Sequence, residues 1–231
     1  MQVTEQVKNI LANYDSDNPG VRANLTRMLM HGKLAGSGKL VILPVDQGFE
    51  HGPTRSFEPN PPAYDPLYHW QFAIDSGARA FAAPLGLIEA GAGKFAGQIP
   101  TILKMNSNNS LSAKSQFPDQ AITASIQDAL RLGCSAIGLT IYPGSEKNHE
   151  MLEEAAQFAA EAKAHGLVVV IWAYPRGGDI SKKAETSVDV CSYAGHIAAL
   201  LGAHIIKLKP PTNYIEREVT QNIVDTQKFE S

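Results

Sequence analysis

The pattern that indicates the fold class is found in the stretch Leu130-Arg-Leu-Gly-Cys-Ser-Ala-Ile-Gly-Leu-Thr-Ile-Tyr-Pro-Gly-Ser145. A helical pattern stops at Gly133, the apolar run Ser135–Tyr142 follows, and polar residues come after it. Glycine is a common residue where a helix ends. A short, continuous apolar run is typical of a strand that is covered on both faces. The stretch therefore predicts one helix-strand unit of a parallel sheet.

The same pattern recurs along the chain, because Gly77, Gly166 and Gly202 also stand directly before apolar runs. Repeated units of this kind indicate an α/β protein with a parallel sheet and right-handed crossovers. The predicted strands are Leu40–Val45, Ala78–Pro84, Pro100–Met105, Ser135–Tyr142, Leu167–Ala173 and His204–Leu208. The predicted helices are Val3–Tyr14, Asn24–Met30, Asp119–Leu132, Lys147–His165, Glu185–Leu201 and Tyr214–Gln227, and the proline-rich segment 49–66 is a predicted long loop.

The composition is that of an ordinary globular protein, with 231 residues, 20 Lys+Arg, 23 Asp+Glu and 44% hydrophobic residues. It excludes a disordered chain, a collagen-like repeat and a disulfide scaffold. The net charge of −3 argues against a dedicated nucleic-acid-binding protein. The two cysteines, Cys134 and Cys191, form no CxxC motif and suit a reducing compartment. Because no signal peptide or membrane-spanning run is recognised, we expect a cytoplasmic protein without membrane or nucleic-acid partners.

Polar or ionisable residues follow five of the six predicted strands. In parallel α/β folds, the active site lies at the carboxyl ends of the strands. Since successive side chains in a strand alternate between faces, Trp172, Tyr174 and Arg176 are expected to share one face. Lys207 and Lys209 are likewise expected to share a face, with Lys207 deeper. Two further sets share a face by the same rule: Ile42, Pro44 and Asp46, and Ile102, Lys104 and Asn106.

Lys207 is the most informative of these residues, because it ends a strand that should be buried. Desolvation lowers the pKa of a lysine, and a neutral amine can form a Schiff base with a carbonyl. The alternative interpretation is a buried stem with the amine in water. Asp46 and Tyr174 are candidates for proton transfer, and Arg176 for binding an anion. Their alternatives are a turn cap, a hydrogen-bonded hydroxyl and a surface ion pair.

Two other motifs carry less weight. Gly91-Ala-Gly-Lys94 lacks the first glycine and the Ser/Thr of a phosphate-binding loop. His51 and His69, with Glu50 and Asp65 nearby, suggest a metal site, but no tight ligand spacing supports one. We expect His51 to line the active site and predict no metal.

Four motifs in this order resemble the archaeal-type class I fructose-1,6-bisphosphate aldolases: 45–53 (VDQGFEHGP), 140–145 (TIYPGS), 172–178 (WAYPRGG) and 202–207 (GAHIIK). The resemblance runs from about Leu40 to about Pro211. It implies a (β/α)8 barrel that reversibly cleaves fructose 1,6-bisphosphate to dihydroxyacetone phosphate and glyceraldehyde 3-phosphate. It also implies a phosphorylated sugar as substrate, no cofactor and a homo-oligomer.

Residue by residue, the resemblance implies that Lys207 is the Schiff-base lysine and Tyr174 the general acid/base. It implies that Asp46 takes part in catalysis and substrate binding, and that Trp172 and Arg176 contact the substrate. Lys209 has no catalytic counterpart in the family and is the rival of Lys207.

The sequence departs from the family pattern after Lys207, where no glycine-rich phosphate-binding segment follows. The predicted fold is a single domain over 1–231, a TIM-barrel type of α/β fold that lacks the last two βα units. Two alternatives remain open. One is a related Schiff-base lyase or transferase on the same scaffold, and the other is a non-catalytic α/β domain that binds a phosphorylated metabolite.

Overall fold

The computed structural model describes residues 2–112 and 118–227. Residues 1, 113–117 and 228–231, which the predicted domain 1–231 includes, lie outside the described residues. The main sheet has six parallel strands that pair in chain order, each with the next. From first to sixth, these strands are Ile42–Pro44, Ala80–Pro84, Thr101–Lys104, Ala136–Ile141, Val168–Ala173 and Ile205–Lys207. All six predicted strands are therefore confirmed, each shorter than its apolar run.

The helices lie mostly between these strands, as predicted. They are α1 Glu5–Ala12, α2 Pro19–Leu29, α3 Gln47–Glu50, α4 Pro53–Phe57, α5 Pro66–Ser76, α6 Leu85–Ala92, α7 Ile126–Arg131, α8 Asn148–Ala164, α9 Val188–Leu200 and α10 Glu218–Gln227, with 3₁₀ turns at Pro61–Tyr64 and Ala184–Thr186. The described part of the chain contains no helix long and apolar enough to cross a membrane.

Two predictions of local structure were wrong in part, and two helices were missed. The predicted helix Asp119–Leu132 begins only at Ile126, because Ser125 and Asp128 form a capping box there. Before it, Ala121–Ile122 pairs in an antiparallel manner with Asn106–Ser107. The predicted loop 49–66 contains α4 and a 3₁₀ turn. Helices α5 and α6 were not predicted at all.

The side chains of the sheet alternate strictly between an inner and an outer layer. Residues such as Phe81, Leu103, Leu139 and Ile171 point outward and pack against the surrounding helices. Their neighbours Ala82, Ile102, Ala136 and Val170 point inward and form a second core. A parallel sheet with two apolar faces, strand order equal to chain order, and helices outside it is the wall of a (β/α) barrel.

Helices α1 and α2 close the interior of this wall at the amino ends of the strands. Val7, Leu11, Val21, Leu25 and Met28 pack into the inner core. Two hydrogen bonds fix the helices, because Tyr14 donates to the carbonyl of His204 at 2.7 Å and Asn24 donates to that of Gly166 at 2.8 Å. The amino ends of the strands are therefore covered by these two helices.

The first and sixth strands form the two edges of the sheet and do not pair with each other in the described residues. A groove of about 350 Å³ lies between them, lined on one side by Leu40, Ile42 and Pro44 and on the other by 205–208. This edge position of the sixth strand determines the surroundings of Lys207.

Candidate active site

The strand-end residues meet at one cavity of about 200 Å³. All six residues predicted for the site line it, although the sequence distributes them over 162 positions of the chain, from 46 to 207. The full lining consists of Pro44, Asp46, Gln47, Glu50, His51, Thr140, Tyr142, Trp172, Tyr174, Arg176 and Lys207. The prediction of a site at the carboxyl ends of the strands therefore agrees with the geometry.

The register of the strands explains why these side chains meet. Thr140 lies opposite Trp172, and Trp172 lies opposite Lys207, so the three side chains occupy one level on the inner face. The indole of Trp172 also needs room on the neighbouring strand. A Cβ atom at Gly138 would lie 2.0 Å from Cζ3 of Trp172, so only glycine leaves space for this ring.

Lys207 ends the sixth strand and is exposed, whereas the sequence predicted a buried strand here and left open whether the amine reaches water. The reason is its edge position, because no described strand covers the far side of the sixth strand. Its Nζ lies 5.5 Å from the centre of the Tyr174 ring. Within the described residues, no carboxylate forms an ion pair with Lys207. The amine therefore has no anion that would hold it away from a carbonyl.

Lys209 lies beyond the end of the sixth strand, in an environment that differs from that of Lys207. The strand ends at Lys207, and the alternation of side chains ends with it. Nζ of Lys209 lies 2.7 Å from Oε2 of Glu185 in an ion pair outside the cavity. Of the two rival lysines, Lys207 alone lines the cavity.

Glu185 is a buried carboxylate that organises the rim beside the cavity. It contacts Lys182 at 2.8 Å and Lys209 at 2.7 Å, and its Oε2 lies 3.9 Å from Nε of Arg176. Burial opposes ionisation of Glu185, but the hydrogen bonds from Lys182 and Lys209 outweigh it and leave its pKa below the ordinary value. No sequence pattern indicated this cluster, since its members come from three separate segments.

Arg176 lies between two tyrosine rings at the cavity wall. Its Cζ atom is 5.2 Å from the ring centre of Tyr142 and 5.4 Å from that of Tyr174. These contacts hold the guanidinium against the aromatic faces. Burial, with the nearby Glu50 carboxylate, raises the pKa of Tyr142 to about 12, and Gln120 donates a hydrogen bond of 2.7 Å to its hydroxyl. Tyr142 is a cavity residue that sequence reasoning missed.

Asp46 binds a lysine that sequence reasoning also missed. Nζ of Lys104, at the end of the third strand, lies 2.7 Å from Oδ2 of Asp46 and also contacts Glu50. The side chain of Lys104 is only 5% exposed. The alternation rule had placed Lys104 on the inner face, but nothing in the sequence indicated that its partners come from the loop after the first strand.

The two histidines of the suggested metal site lie in different surroundings. His51 is exposed and lines the cavity. His69 is buried elsewhere, with Nε2 2.8 Å from the carbonyl oxygen of Ala63 and its ring against Phe57. Among the described residues, no group of three or more His, Cys, Asp or Glu side chains is placed to hold a metal ion.

Comparisons with known proteins agree with the motifs. The model of the DeoC/LacD family aldolases matches residues 40–228. The "Probable fructose-bisphosphate aldolase class 1" of Chlamydia muridarum is 38% identical over 209 residues, which are 89% of this chain and 59% of that protein. The "Fructose-bisphosphate aldolase class 1" of Thermoproteus tenax is 38% identical over 187 residues, 81% of this chain and 68% of that protein.

A solved structure shows the same fold. It is that of an archaeal fructose-1,6-bisphosphate aldolase whose catalytic lysine is covalently bound to the carbinolamine intermediate of the substrate. It is 34% identical, with a TM-score of 0.71, and the match covers 81% of this chain and 70% of that chain. The predicted fold class and family resemblance are thus confirmed. The chain spans about 60% of the length of the chlamydial relatives that it matches.

Proposed function

Because the chain belongs to the DeoC/LacD family of aldolases, we propose that it is a class I aldolase that cleaves fructose 1,6-bisphosphate through a Schiff base on Lys207. The observation that carries this proposal is the cavity itself. It collects Lys207, Tyr174 and Asp46 from three separate strand ends, and Lys207 is the lysine among the cavity-lining residues. The proposed products are dihydroxyacetone phosphate and glyceraldehyde 3-phosphate, and the reaction would serve glycolysis or gluconeogenesis.

The first proposed step joins Lys207 to the substrate. The lone pair of Nζ attacks the C2 ketone carbon, the carbonyl π electrons move to oxygen, and proton transfer gives a carbinolamine. Loss of water then leaves a protonated imine. This cation accepts the electron pair of the C3–C4 bond when that bond breaks, which gives an enamine and the aldehyde product. Protonation of the enamine at C3 and hydrolysis of the imine return the free amine and dihydroxyacetone phosphate.

Two side chains are the proposed groups for the proton transfers. Cleavage of the C3–C4 bond requires a base for the C4 hydroxyl proton, and the enamine requires an acid. Tyr174 lies next to Lys207, and Asp46 lies at the same cavity from the first-strand loop. We assign these two steps to Tyr174 and Asp46 together. Arg176 supplies a cation for a substrate phosphate, and Trp172 and His51 supply further substrate contacts.

The surroundings of Lys207 determine what supports it as the nucleophile. Lys207 is exposed at the edge of the sheet that the described residues form, so burial does not support its role as nucleophile. The absence of a carboxylate partner among these residues is therefore the feature that supports Lys207 as nucleophile. Lys104 and Lys209, by contrast, are both held by carboxylates.

Trapping with borohydride tests this proposal. Incubation with dihydroxyacetone phosphate followed by reduction is expected to give a stable covalent adduct of the wild-type protein. Lys207→Met is expected to abolish the adduct while the circular dichroism spectrum stays that of the wild type. Lys209→Met is the matched control and is expected to retain it. Absence of an adduct from the wild-type protein would favour a non-catalytic binding domain and contradict the proposal.

We further propose that the protein acts in the cytoplasm and as a homo-oligomer. The two free, buried cysteines support a reducing compartment. Exposed apolar side chains on α9, Tyr193 and Leu200, support contact between subunits. Light scattering coupled to size-exclusion chromatography tests the oligomeric state, and a monomer at micromolar concentration would contradict it.

A further inference from the structure

Lys104 is a buried cation inside the barrel wall and has no role in the mechanism described so far. It is the last residue of the third strand, and its side chain is 5% exposed. Burying an ammonium group is costly unless opposite charges compensate for it. A lysine at this place, beside the apolar inner core, therefore needs a reason.

The compensation comes from two carboxylates of one loop. Oδ2 of Asp46 lies 2.7 Å from Nζ of Lys104, and Glu50 makes the second contact. Asp46 and Glu50 are separated by one turn of α3, and the amide of Glu50 donates to the carbonyl of Asp46 at 2.9 Å. Two carboxylates this close repel each other in the absence of a cation. Lys104 therefore holds the loop by its charge.

Lys104 acts from behind the cavity wall. Asp46 and Glu50 line the cavity, and Lys104 does not. Two of its three N–H groups are directed to carboxylates, so it is unsuited to attack a carbonyl. In the described part of the chain, Oδ1 of Asp46 accepts no hydrogen bond and Asp46 caps no helix with its side chain. One oxygen of Asp46 is thus fixed by Lys104, and the other is left for a ligand.

We propose that Lys104 is a positioning residue that fixes the carboxylate of Asp46 against the cavity for the carbon–carbon cleavage step. The proposal rests on the proposed function for its kinetic consequences. Lys104 touches neither the substrate cavity nor Lys207, so Schiff-base formation does not depend on it directly. The proton transfer assigned to Asp46 does depend on it, because misplacement of a catalytic group by about 1 Å costs on the order of 10²-fold in rate.

The test uses Lys104→Met, which removes the charge and keeps an unbranched side chain of similar length. Its matched control is Lys147→Met, which removes an exposed lysine that pairs with Glu150 at 2.9 Å. We expect Lys104→Met to lower kcat for cleavage by about 10²-fold with little change in KM, and to retain borohydride trapping at Lys207. Lys147→Met should match the wild type in all three readouts.

Glu50→Gln separates the two carboxylates. It leaves the contact between Lys104 and Asp46 in place, so the accessibility of the Asp46 carboxylate to carbodiimide coupling is expected to stay that of the wild type. An increase as large as that in Lys104→Met would mean that Lys104 only anchors the loop, and would overturn the proposal. Lys104→Gln provides a second neutral variant. Loss of fold in both neutral variants would make Lys104 a residue of the core and would likewise overturn it.

A second readout does not depend on catalysis. Carbodiimide coupling of a small amine, mapped by tandem mass spectrometry, measures how accessible each carboxylate is. We expect modification of Asp46 to increase several-fold in Lys104→Met and to stay unchanged in Lys147→Met. If modification increases as expected but the wild-type protein forms no adduct with dihydroxyacetone phosphate, the proposed function fails and the positioning role stands. Unchanged modification of Asp46 would refute the positioning role itself.

Discussion

Substitution of Gly138 by alanine tests the packing that places Trp172 at the cavity. A Cβ atom at this position would lie 2.0 Å from Cζ3 and 2.3 Å from Cη2 of the indole, and 3.3 Å from Cγ2 of Ile102. Carbon atoms pack at about 3.5–4.0 Å, so the ring must move by roughly 1.5 Å. Gly138 is not among the glycines with positive φ, so backbone strain does not contribute.

The loss of stability that we expect follows from the position of Gly138 in the fourth strand. Overpacking of a filled interior typically costs about 1–3 kcal/mol. We expect Gly138→Ala to lower the free energy of unfolding by this amount, measured by urea titration with circular dichroism. Because Trp172 lines the cavity that contains Lys207, we also expect slower trapping of dihydroxyacetone phosphate at Lys207.

Two further variants provide a control and a compensating change. Gly93→Ala is the control, because Gly93 has a φ of −69° and a Cβ there would meet no atom within 4 Å. It should leave stability unchanged or raise it by up to about 1 kcal/mol. Trp172→Phe should relieve part of the cost of Gly138→Ala in the double variant. Wild-type stability of Gly138→Ala, or strict additivity in the double variant, would refute the packing argument.

Three other predictions concern buried polar groups. Burial lowers the pKa of His204 despite the opposing effect of Asp17, and Nδ1 accepts a hydrogen bond of 2.8 Å from the amide of Val169. The folded protein then binds fewer protons at this site than the unfolded chain does. The free energy of unfolding should therefore decrease as the pH falls below the ordinary histidine pKa of about 6.5. In His204→Gln, the free energy of unfolding should depend less steeply on pH. The side-chain amide of Asn106 donates a hydrogen bond to the carbonyl of Thr140 and accepts one from the amide of Thr140, both at 2.8 Å. Asn106→Ala should therefore lower the free energy of unfolding in urea by about 1–3 kcal/mol. An unchanged free energy of unfolding would contradict this. Burial raises the pKa of Cys134 to about 11, so iodoacetamide at pH 8 should modify this thiol only after unfolding in urea, and rapid modification of the native protein would contradict its burial.

The sequence predicted the wall of the barrel well, because its signals are local. Apolar runs give strands, and a glycine before each run ends the preceding helix. Gly77, Gly133, Gly166 and Gly202 all have the positive φ that this role requires. The alternation of side chains then placed Trp172 and Tyr174 correctly at the cavity, since it depends only on the period of a strand.

The failures concern properties that depend on distant residues. The sixth strand was expected to be buried, but its burial depends on what covers its far side. Lys104 was given no role, because its partners lie 54 and 58 positions away in the sequence. Lys209 was the rival of Lys207, because the sequence does not show its ion pair with Glu185, which lies 24 positions away.

The most direct test of the proposed Schiff base is to locate it during turnover. The wild-type protein is mixed with fructose 1,6-bisphosphate, reduced with borohydride within the first turnovers, digested, and mapped by tandem mass spectrometry. We predict one modified residue, Lys207, which lines the cavity without a carboxylate partner among the described residues. An adduct on Lys104 or Lys209 would contradict the assignment of the nucleophile, and the absence of any adduct would contradict Schiff-base catalysis by this chain.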